Sequence, residues 1–279
     1  MSLITYNGYA VPPIMYGTAW KKDKTRKLVE LAVNSGFRAI DTANQMIHYN
    51  EVGVGEALLD LYKTDIKRSN LFLQTKFTSI NGQGNQTPPY DPSADLPTQV
   101  RQSITSSLKH LHTDYLDSYV LHGPYSRRGL VMQDWQVWST MEELFEKQIV
   151  RTIGVSNVDA VQLNEFCAGA RIKPMFVQNR CYAITRWDKD VRDICNSNKI
   201  VYQGFSLLTA NPNVMNSQSV HGIAGRLNAT PAQVIFRFAL DVGMLALTGT
   251  TNTNHMKEDL LSPEFKLTAA EIELIENIL

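Results

Sequence analysis

Short apolar segments alternate with helical patterns along almost the whole chain, and this alternation restricts the possible folds more than any other feature. Eight segments are predicted to be buried strands: residues 14–17, 39–41, 71–76, 119–122, 150–155, 175–178, 200–205 and 244–248. Each is continuous rather than alternating in hydrophobicity, which is typical of parallel strands covered by helices. The sequence therefore predicts an α/β protein with a parallel sheet.

The segments between these strands carry the spacing of amphipathic helices. The first repeats apolar residues at i and i+4, and Gly36 follows it as a stop. A later one has a complete start signal, with Thr230 as N-cap, Pro231 in the first turn and Gln233 three residues after the cap. Helices are predicted at residues 24–34, 54–62, 100–111, 135–145, from about 159, 191–195, 234–240, about 254–259 and 269–278.

Eight strand-helix units predict one closed (β/α)8 TIM barrel, a single domain that spans residues 1–279. An open, doubly wound sheet is the competing fold. However, no GxGxxG motif follows the first strand, and no change in composition marks a second domain. Residues 4–11 hold Asn7-Gly8 between β-prone flanks, which predicts a hairpin that closes the bottom of the barrel.

Charge and cysteine content narrow the class of partner. Lys plus Arg and Asp plus Glu each total 27, so we expect a small-molecule partner rather than nucleic acid or a membrane. Three cysteines without CxxC spacing indicate neither a disulfide framework nor zinc, and no metal is expected. Without a secretion signal or an apolar span, the protein is expected to be cytoplasmic, as a monomer or weak dimer.

Three polar residues stand at the carboxyl ends of neighbouring predicted strands. Asp41, Lys76 and His122 end the second, third and fourth strands, and barrel enzymes build their active sites at this end. One such residue alone would be an ordinary solvated or salt-bridged strand end, whereas three together favour catalysis. The longest irregular segment, residues 79–96, follows Lys76 and is expected at the same face as a functional or mobile loop.

Sequence blocks spread over essentially the whole chain add a family resemblance. They are Gly17-Thr18-Ala19-Trp20, Asp41-Thr42-Ala43, Thr75-Lys76-Phe77, Leu121-His122-Gly123-Pro124, Gly154-Val155-Ser156-Asn157 and Val177-Gln178-Asn179. In this order they resemble the aldo-keto reductases. The resemblance implies an oxidoreductase that reduces aldehydes or ketones with a nicotinamide cofactor, and a catalytic tetrad of Asp, Tyr, Lys and His.

Carbonyl reduction explains the residue types of that tetrad, three of which the resemblance places at Asp41, Lys76 and His122. Hydride adds to carbon and a proton to oxygen, so a positioned acid is needed, and a phenol with an unperturbed pKa of about 10 must be tuned. We expect Lys76 to lower the pKa of the Tyr, and Asp41 to keep Lys76 charged. His122 would orient and polarise the carbonyl oxygen.

The Tyr of the tetrad is missing from its usual position. The family pattern puts it five residues after the Asp, and that residue here is Met46, which cannot donate a proton. Counting back from Val54-Gly55 in the next helix leads to His48-Tyr49, so the loop is longer before Tyr49 and shorter after it. The segment also resembles a branch of the family with a longer loop. We predict Tyr49 as the proton donor, with a tetrad that lacks Tyr as the alternative.

The same resemblance implies a cofactor site. Its residues are Gly17, Thr18, Asp41, Ser156, Asn157, Gln178, Phe205, Ser206, Leu207, Thr248, Thr250, His255 and Asp259. Asn157 and Gln178 are amides that can bond a carboxamide both ways. Phe205 takes the place of the family's stacking aromatic residue, with Tyr202 as the rival position.

Cofactor choice depends on the segment after the last strand. Many relatives hold the 2′-phosphate of NADPH with a Lys just after strand eight and an Arg about six residues later. The corresponding residues here are Gly249 and His255, and Lys257 is the nearest substitute cation. The helix predicted from about Asn254 could hold a phosphate at its N-terminus. We expect NADPH as cofactor, with NADH also accepted.

The substrate is expected to be a small carbonyl compound that enters past Trp20, Phe77, Pro124 and Tyr125. The chain lacks the long C-terminal tail of many relatives, so an open pocket is expected. Two rival functions are a Schiff-base lyase with Lys76 as nucleophile, and a cofactor-binding sensor or scaffold without turnover. His110 and His112 could be read as a metal pair, but at a helix end they are better interpreted as solvated surface.

Overall fold

A small antiparallel sheet at the start of the chain covers the bottom of the barrel. In this computed structural model, which describes residues 2–278, strand β1 (Leu3–Ile4) pairs with β2 (Ala10–Val11). The turn between them holds Gly8 at a φ of 83°, in the left-handed region that Gly adopts most readily. Val11 is buried among apolar side chains of the lowest barrel layer, and the predicted hairpin is confirmed.

Eight parallel strands form a closed barrel in chain order, with the last paired to the first. They are β3 (Ile14–Gly17), β4 (Ala39–Asp41), β5 (Phe72–Phe77), β6 (Ser118–Leu121), β7 (Ile153–Ser156), β8 (Phe176–Arg180), β9 (Val201–Phe205) and β10 (Met244–Thr248). The pairing of Phe77 with Leu121 brings the carboxyl ends of β5 and β6 to one rim. The predicted (β/α)8 barrel is confirmed, and an open doubly wound sheet is excluded.

Helices surround this barrel. They are α1 (Thr25–Ser35), α2 (Glu51–Leu61), α3 (Leu96–His110), α4 (Met132–Glu146), α5 (Ala160–Gly169), α6 (Lys189–Asn198), α7 (Pro212–Met215), α8 (Gln218–Leu227), α9 (Pro231–Asp241), α10 (Thr253–Leu261) and α11 (Ala269–Glu276). At α9, Thr230 Oγ1 accepts a hydrogen bond of 3.2 Å from Gln233 N, so the predicted cap forms. Helices α7 and α8 were not predicted: α7 has only four residues, and the spacing of Val220, Ile223, Ala224 and Leu227, which signals α8, was overlooked.

The barrel interior changes from apolar to polar towards the rim. At the bottom, Met15, Ala39 and Phe72 belong to one apolar cluster. Above them, Gln74 and Gln203 exchange two hydrogen bonds, of 2.8 and 2.9 Å. Because these buried amides satisfy one another, they form a hydrogen-bonded layer on which charged side chains at the strand ends can lie.

The long loop of residues 79–96 is irregular, apart from one 3-10 turn at Ile80–Gly82. It packs against the loop that follows Asp41, where Gln83 Nε2 donates to the carbonyl oxygen of Asn44 at 3.2 Å. None of the loop residues lines the large cavity described below. The loop therefore lies at the expected face, but it contacts the loop after Asp41 rather than the cavity itself.

A few boundaries differ from the predictions. Strand β7 begins at Ile153 rather than at Val150, because Val150 makes only an isolated bridge to Leu116. The predicted domain 1–279 includes Met1 and Leu279, which lie outside the described residues. Within residues 2–278, no helix combines the length and the apolar character needed to cross a membrane.

Candidate active site

A cavity of about 680 Å³ opens at the carboxyl ends of the strands, a volume typical of ligand sites. Many of the predicted site residues line it: Gly17, Trp20, Asp41, Tyr49, His122, Ser156, Asn157, Gln178, Phe205, Ser206, Leu207, Thr248, Thr250, His255 and Asp259. We call the part around Asp41, Tyr49 and His122 the inner end. The part around Thr248, His255 and Asp259 is the outer end.

Asp41 and Lys76 form a buried ion pair at the inner end. Lys76 Nζ donates to Asp41 Oδ1 at 2.6 Å, to Oδ2 at 2.7 Å and to the carbonyl oxygen of Thr42 at 2.8 Å. These contacts use all three N–H groups of the ammonium. Lys76 is 0% exposed, and burial lowers its pKa while the carboxylate of Asp41 opposes that shift. The ammonium of Lys76 therefore has no free N–H group, and Lys76 does not line the cavity.

Tyr49 contributes the phenol of the inner end. The centre of its ring lies 5.0 Å from Lys76 Nζ and 6.0 Å from the centre of the His122 ring. Met46, at the usual family spacing, is 67% exposed and outside the cavity. His48 packs against Trp20 in a tilted arrangement with ring centres 4.1 Å apart, and it is not a lining residue either. Of the candidates in this loop, only Tyr49 faces Asp41 and His122.

The pKa of Tyr49 shifts in the direction opposite to the expected one. Burial raises it, and the carboxylate of Asp41 raises it further. The expectation that the pKa of Tyr49 lies below its ordinary value is therefore wrong. Burial is the larger cause, and together with the carboxylate of Asp41 it outweighs the ammonium of Lys76, which lies 5.0 Å from the ring centre.

His122 follows β6 directly and is held by a neighbour that the sequence analysis did not consider. Its Nδ1 lies 2.7 Å from Oγ1 of Thr78, the residue after β5. Burial lowers the pKa of His122 to about 3, and the positive charges of Lys76 and His48 add to this effect. The imidazole is therefore neutral at physiological pH.

The two amides predicted to bind a carboxamide both donate their N–H groups to other atoms of the protein. Gln178 Nε2 donates to Asp41 Oδ1 at 3.1 Å and to Gln203 Oε1 at 2.9 Å. Asn157 Nδ2 donates to the carbonyl oxygen of His122 at 2.8 Å and to Ser156 Oγ at 3.2 Å. Each amide therefore offers only its oxygen to a ligand, which corrects the expectation of bonding in both directions.

The outer end contains a buried carboxylate, that of Asp259. Thr248 Oγ1 donates to Asp259 Oδ2 at 2.7 Å, and no ion pair to Asp259 forms within the described part of the chain. Burial raises the pKa of Asp259 to about 6, although the Thr248 hydroxyl and His255 oppose the shift. The carboxyl therefore titrates closer to neutral pH than an ordinary Asp does.

Lys21 supplies a cation to the outer part of the cavity that the sequence analysis missed. Its Nζ donates to the carbonyl oxygen of Gly249, the position where many relatives have a Lys. Lys257, the substitute named from the sequence, is exposed and outside the cavity. The ammonium therefore comes from the loop after β3, and only the closure of β3 against β10 brings it there.

Four further predicted residues do not line the cavity. Phe77 is fully buried in the core against Tyr90, because it alternates with the inward-facing Lys76 along β5. Thr18 is buried and donates its hydroxyl to the carbonyl oxygen of Asp41 at 2.9 Å. Tyr125 packs against the core, and Pro124 beside it is also outside the lining. The rival aromatic residue Tyr202 is in the core and bonds Asp188, so Phe205 is the aromatic residue that meets the cavity.

Of the two histidines at the end of α3, His112 is exposed as expected, whereas His110 is not simply solvated. His110 Nδ1 lies 2.9 Å from Oε2 of Glu51, which is buried and also accepts from the hydroxyl of Thr75. This contact ties the start of α2, just after Tyr49, to the strand that carries Lys76. Within residues 2–278, no group of three or more His, Cys, Asp or Glu side chains is arranged to hold a metal ion.

The fold and the site together define a (β/α)8-barrel enzyme with a buried Asp–Lys pair, a phenol and a neutral imidazole around one cavity. The sequence model of the Aldo/keto reductase family matches residues 13–279. The chain therefore belongs to this family of oxidoreductases, and the resemblance seen in the sequence blocks is confirmed.

Relatives and solved structures agree with this membership. The chain is 30% identical to NADPH-dependent codeinone reductase 1-4 of Papaver somniferum, over 98% of this chain and 87% of that protein. It is 26% identical to a 9,11-endoperoxide prostaglandin H2 reductase of Trypanosoma cruzi, over 98% and 89%. Among solved structures, an aldo-keto reductase from a Medee basin deep-sea metagenome library superimposes with a TM-score of 0.85 at 25% identity, covering 99% of this chain and 94% of that one.

Proposed function

We propose that this chain reduces aldehydes or ketones with a nicotinamide cofactor, and that Tyr49 donates the proton to the carbonyl oxygen. One observation carries the proposal: the Tyr49 ring lines the cavity between Asp41 and His122, with Lys76 Nζ 5.0 Å from its centre. Met46, which takes the usual position of the acid, is exposed elsewhere. The inner end therefore has a phenol despite the altered loop.

The residues present fit a nicotinamide dinucleotide. At the inner end, the free oxygens of Asn157 and Gln178 can accept from a carboxamide N–H, and Phe205 offers an aromatic face. Towards the outer end, Lys21 and the first turn of α10 offer positive charge to a phosphate group. When bound, the nicotinamide would supply the hydride.

The protein's own residues account for the proton. Burial keeps Tyr49 protonated before reaction, because its pKa is raised. Donation of the phenolic proton to the carbonyl oxygen leaves a phenolate, and the nearby ammonium of Lys76 stabilises that charge. One hydride and one proton thus balance the reduction of the carbonyl to an alcohol.

Asp41 and His122 have separate tasks in this proposal. Asp41 holds Lys76 in place through both carboxylate oxygens, so the ammonium stays charged although it is buried. His122 is neutral, so it can donate one hydrogen bond to the substrate oxygen without adding a positive charge that would compete with Lys76.

NADPH is the proposed cofactor, with NADH as a weaker alternative. Lys21 brings an ammonium to Gly249, where many relatives use a Lys for the 2′-phosphate. The codeinone reductase relative is NADPH-dependent by name. The missing Lys and Arg of the last loop therefore leave one replacement cation, and we propose a moderate preference for NADPH.

The rival functions find less support. A Schiff-base lyase needs an accessible amine, whereas Lys76 is fully buried and donates its three N–H groups to Asp41 and Thr42. A cofactor-binding protein without turnover was suggested by Met46. The position of Tyr49 removes that reason, because a phenol lines the inner end.

Replacing Tyr49 by Phe tests the proposal. The ring remains, so folding and cofactor binding should persist, while the rate of aldehyde reduction should fall about 10²–10⁴-fold, as expected for loss of a general acid. The rate is measured by NADPH oxidation with an aromatic aldehyde, and cofactor binding by quenching of protein fluorescence.

Met46→Leu is the matched control in the same loop. It keeps an apolar side chain of similar size at an exposed position, so the rate should change less than about threefold. A folded Tyr49→Phe protein that binds NADPH and still reduces the aldehyde at the wild-type rate would show that Tyr49 is not the acid.

A further inference from the structure

The hydrogen bond between Thr78 and His122 restricts the state of the imidazole. Thr78 Oγ1 is 2.7 Å from Nδ1, and the side chain of Thr78 is almost fully buried. The two residues follow neighbouring strands in which Phe77 is paired with Leu121, so the sheet register itself places them side by side. With Nδ1 occupied, Nε2 is the ring nitrogen left for a ligand in the cavity.

A neutral imidazole carries one N–H, on either Nδ1 or Nε2, and the contact with Thr78 is compatible with both. If Nδ1 carried the hydrogen, it would donate to Oγ1, and the hydroxyl hydrogen of Thr78 would need another acceptor. Within residues 2–278, Oγ1 has no second hydrogen-bond partner. A buried hydroxyl hydrogen without an acceptor is costly, so donation from Thr78 to Nδ1 is the favoured arrangement.

We propose that Thr78 is a positioning residue: its hydroxyl donates to Nδ1 of His122 and thereby keeps the hydrogen on Nε2, where it can bond the oxygen of the substrate. The inference rests on the proposed carbonyl reduction for its purpose, but not for its test. Without this contact the ring would exchange between two forms, and the form without the Nε2 hydrogen could not donate to a carbonyl.

Two substitutions can separate the role of the Thr78 hydroxyl from the other roles of this residue. The backbone carbonyl of Thr78 accepts from the hydroxyl of Tyr90 at 2.8 Å and from Gln83 Nε2 at 3.2 Å, and any side chain leaves these bonds possible. The methyl group packs close to Gly82, where an added Cβ would lie 2.6 Å from it. Thr78→Val keeps the methyl group and loses the hydroxyl, whereas Thr78→Ser does the reverse.

The tautomer is read directly by NMR of the full-length, ¹⁵N-labelled protein without ligand. Long-range ¹H–¹⁵N correlations distinguish a protonated Nε2 from a protonated Nδ1, and His122→Gln assigns the ring by loss of its signals. Wild type and Thr78→Ser should show hydrogen on Nε2. Thr78→Val should shift the balance towards Nδ1 by about tenfold, the amount expected from one neutral hydrogen bond.

Kinetics give the second readout. Thr78→Val should lower kcat for aldehyde reduction by about threefold to tenfold and leave the Kd for NADPH unchanged, while Thr78→Ser should stay within about twofold of wild type. A merely structural role would instead make Ser the worse variant, because it removes the packed methyl group.

Some outcomes would overturn the inference. Hydrogen on Nδ1 in the wild type, or a Thr78→Val protein with an unchanged tautomer, would show that Thr78 does not set it. If the tautomer shifts as expected but no carbonyl compound is reduced by the wild type, the role of Thr78 stands and the proposed function fails.

Discussion

Two buried carboxylates at opposite ends of one cavity differ in the groups that surround them. Asp41, 2% exposed, is bonded by Lys76 and by the amides of Gln74 and Gln178. Within residues 2–278 the side chain of Asp259, 3% exposed, accepts a hydrogen bond only from the hydroxyl of Thr248, and burial raises its pKa to about 6. The same side chain thus accepts charge-assisted hydrogen bonds in one place and is buried with a raised pKa in the other.

The difference reflects the elements that carry each end. Asp41 and Lys76 stand on adjacent barrel strands, where backbone pairing fixes distances and the layer of amides below completes the contacts. Asp259 and His255 stand on α10, and Lys21 stands on a loop, outside the barrel wall. The positions of the charged groups at the inner end are therefore fixed by the barrel strands, whereas those at the outer end depend on a helix and a loop.

The largest expected effect is at the inner end. Lys76→Met leaves the carboxylate of Asp41 buried without its cation, and breaking a buried ion pair in this way costs about 3–5 kcal/mol. The free energy of unfolding, measured by urea denaturation at pH 7, should fall by this amount. The rate of aldehyde reduction should fall as in Tyr49→Phe, since the phenolate loses its neighbouring charge.

The double variant Asp41→Asn with Lys76→Met serves as control. It removes both charges, so the two substitutions should couple by about 1–3 kcal/mol, and the double variant should be more stable than the sum of the single losses predicts. Strict additivity would mean that the pair is not the tight unit described above, and the contrast between the two ends would be lost.

An intermediate effect is expected at Asp259, and its sign follows from the raised pKa. Between about pH 4 and pH 6 the folded protein binds a proton at Asp259 that the unfolded chain has lost. The contribution of Asp259 to stability is therefore full below about pH 4 and is lost as the pH rises through about 6. Asp259→Asn should increase the free energy of unfolding by about 2 kcal/mol more at pH 7.5 than at pH 4, relative to wild type.

Glu264→Gln provides the comparison for that experiment, because it removes an exposed carboxylate just after α10 that does not act on Asp259. Urea denaturation of the protein without cofactor at both pH values should show no such pH-dependent difference for this variant. An Asp259→Asn protein whose stability relative to wild type is equal at the two pH values would contradict the raised pKa.

The smallest effect concerns cofactor affinity at the outer end. Lys21→Ala removes the ammonium that bonds Gly249, and NADPH should bind about tenfold more weakly, at the lower end of a charge-assisted hydrogen bond because the site is partly open to water. NADH should lose less. Both Kd values are measured by fluorescence quenching, with Lys257→Ala as a control that should change neither.

Adding a Lys at Gly249 sharpens the same test. A Cβ at this position would lie 3.3 Å from Lys21 Nζ, so Gly249→Lys alone brings two ammonium groups into competition and should improve NADPH binding little. In the Lys21→Ala background it should restore the affinity. If Lys21→Ala binds NADPH as tightly as wild type, the phosphate is held elsewhere.

Much of the architecture was readable from the sequence for a local reason. Strands such as β3 and β10 are short, apolar and continuous, and several helices have clear caps or stops, as at Thr230 and Gly36. The position of Asp41, Lys76 and His122 at strand ends already implied one shared site, because parallel strands in a barrel end at the same rim. Helix α7 was not predicted because it is a single short turn, and α8 was overlooked although Val220, Ile223, Ala224 and Leu227 have helical spacing.

Features that depend on contacts between residues far apart in the sequence were decided only by the tertiary structure. That Tyr49 rather than Met46 faces the cavity depends on the path of a loop, which no periodic pattern encodes. Lys21 reaches Gly249 only because the barrel closes β3 onto β10. The pKa of Tyr49 rises instead of falling because burial and the neighbouring carboxylate outweigh a cation whose donors are already used. Sequence determined which groups are present and on which element; their charge states and orientations come from desolvation and packing, which exist only in the folded chain.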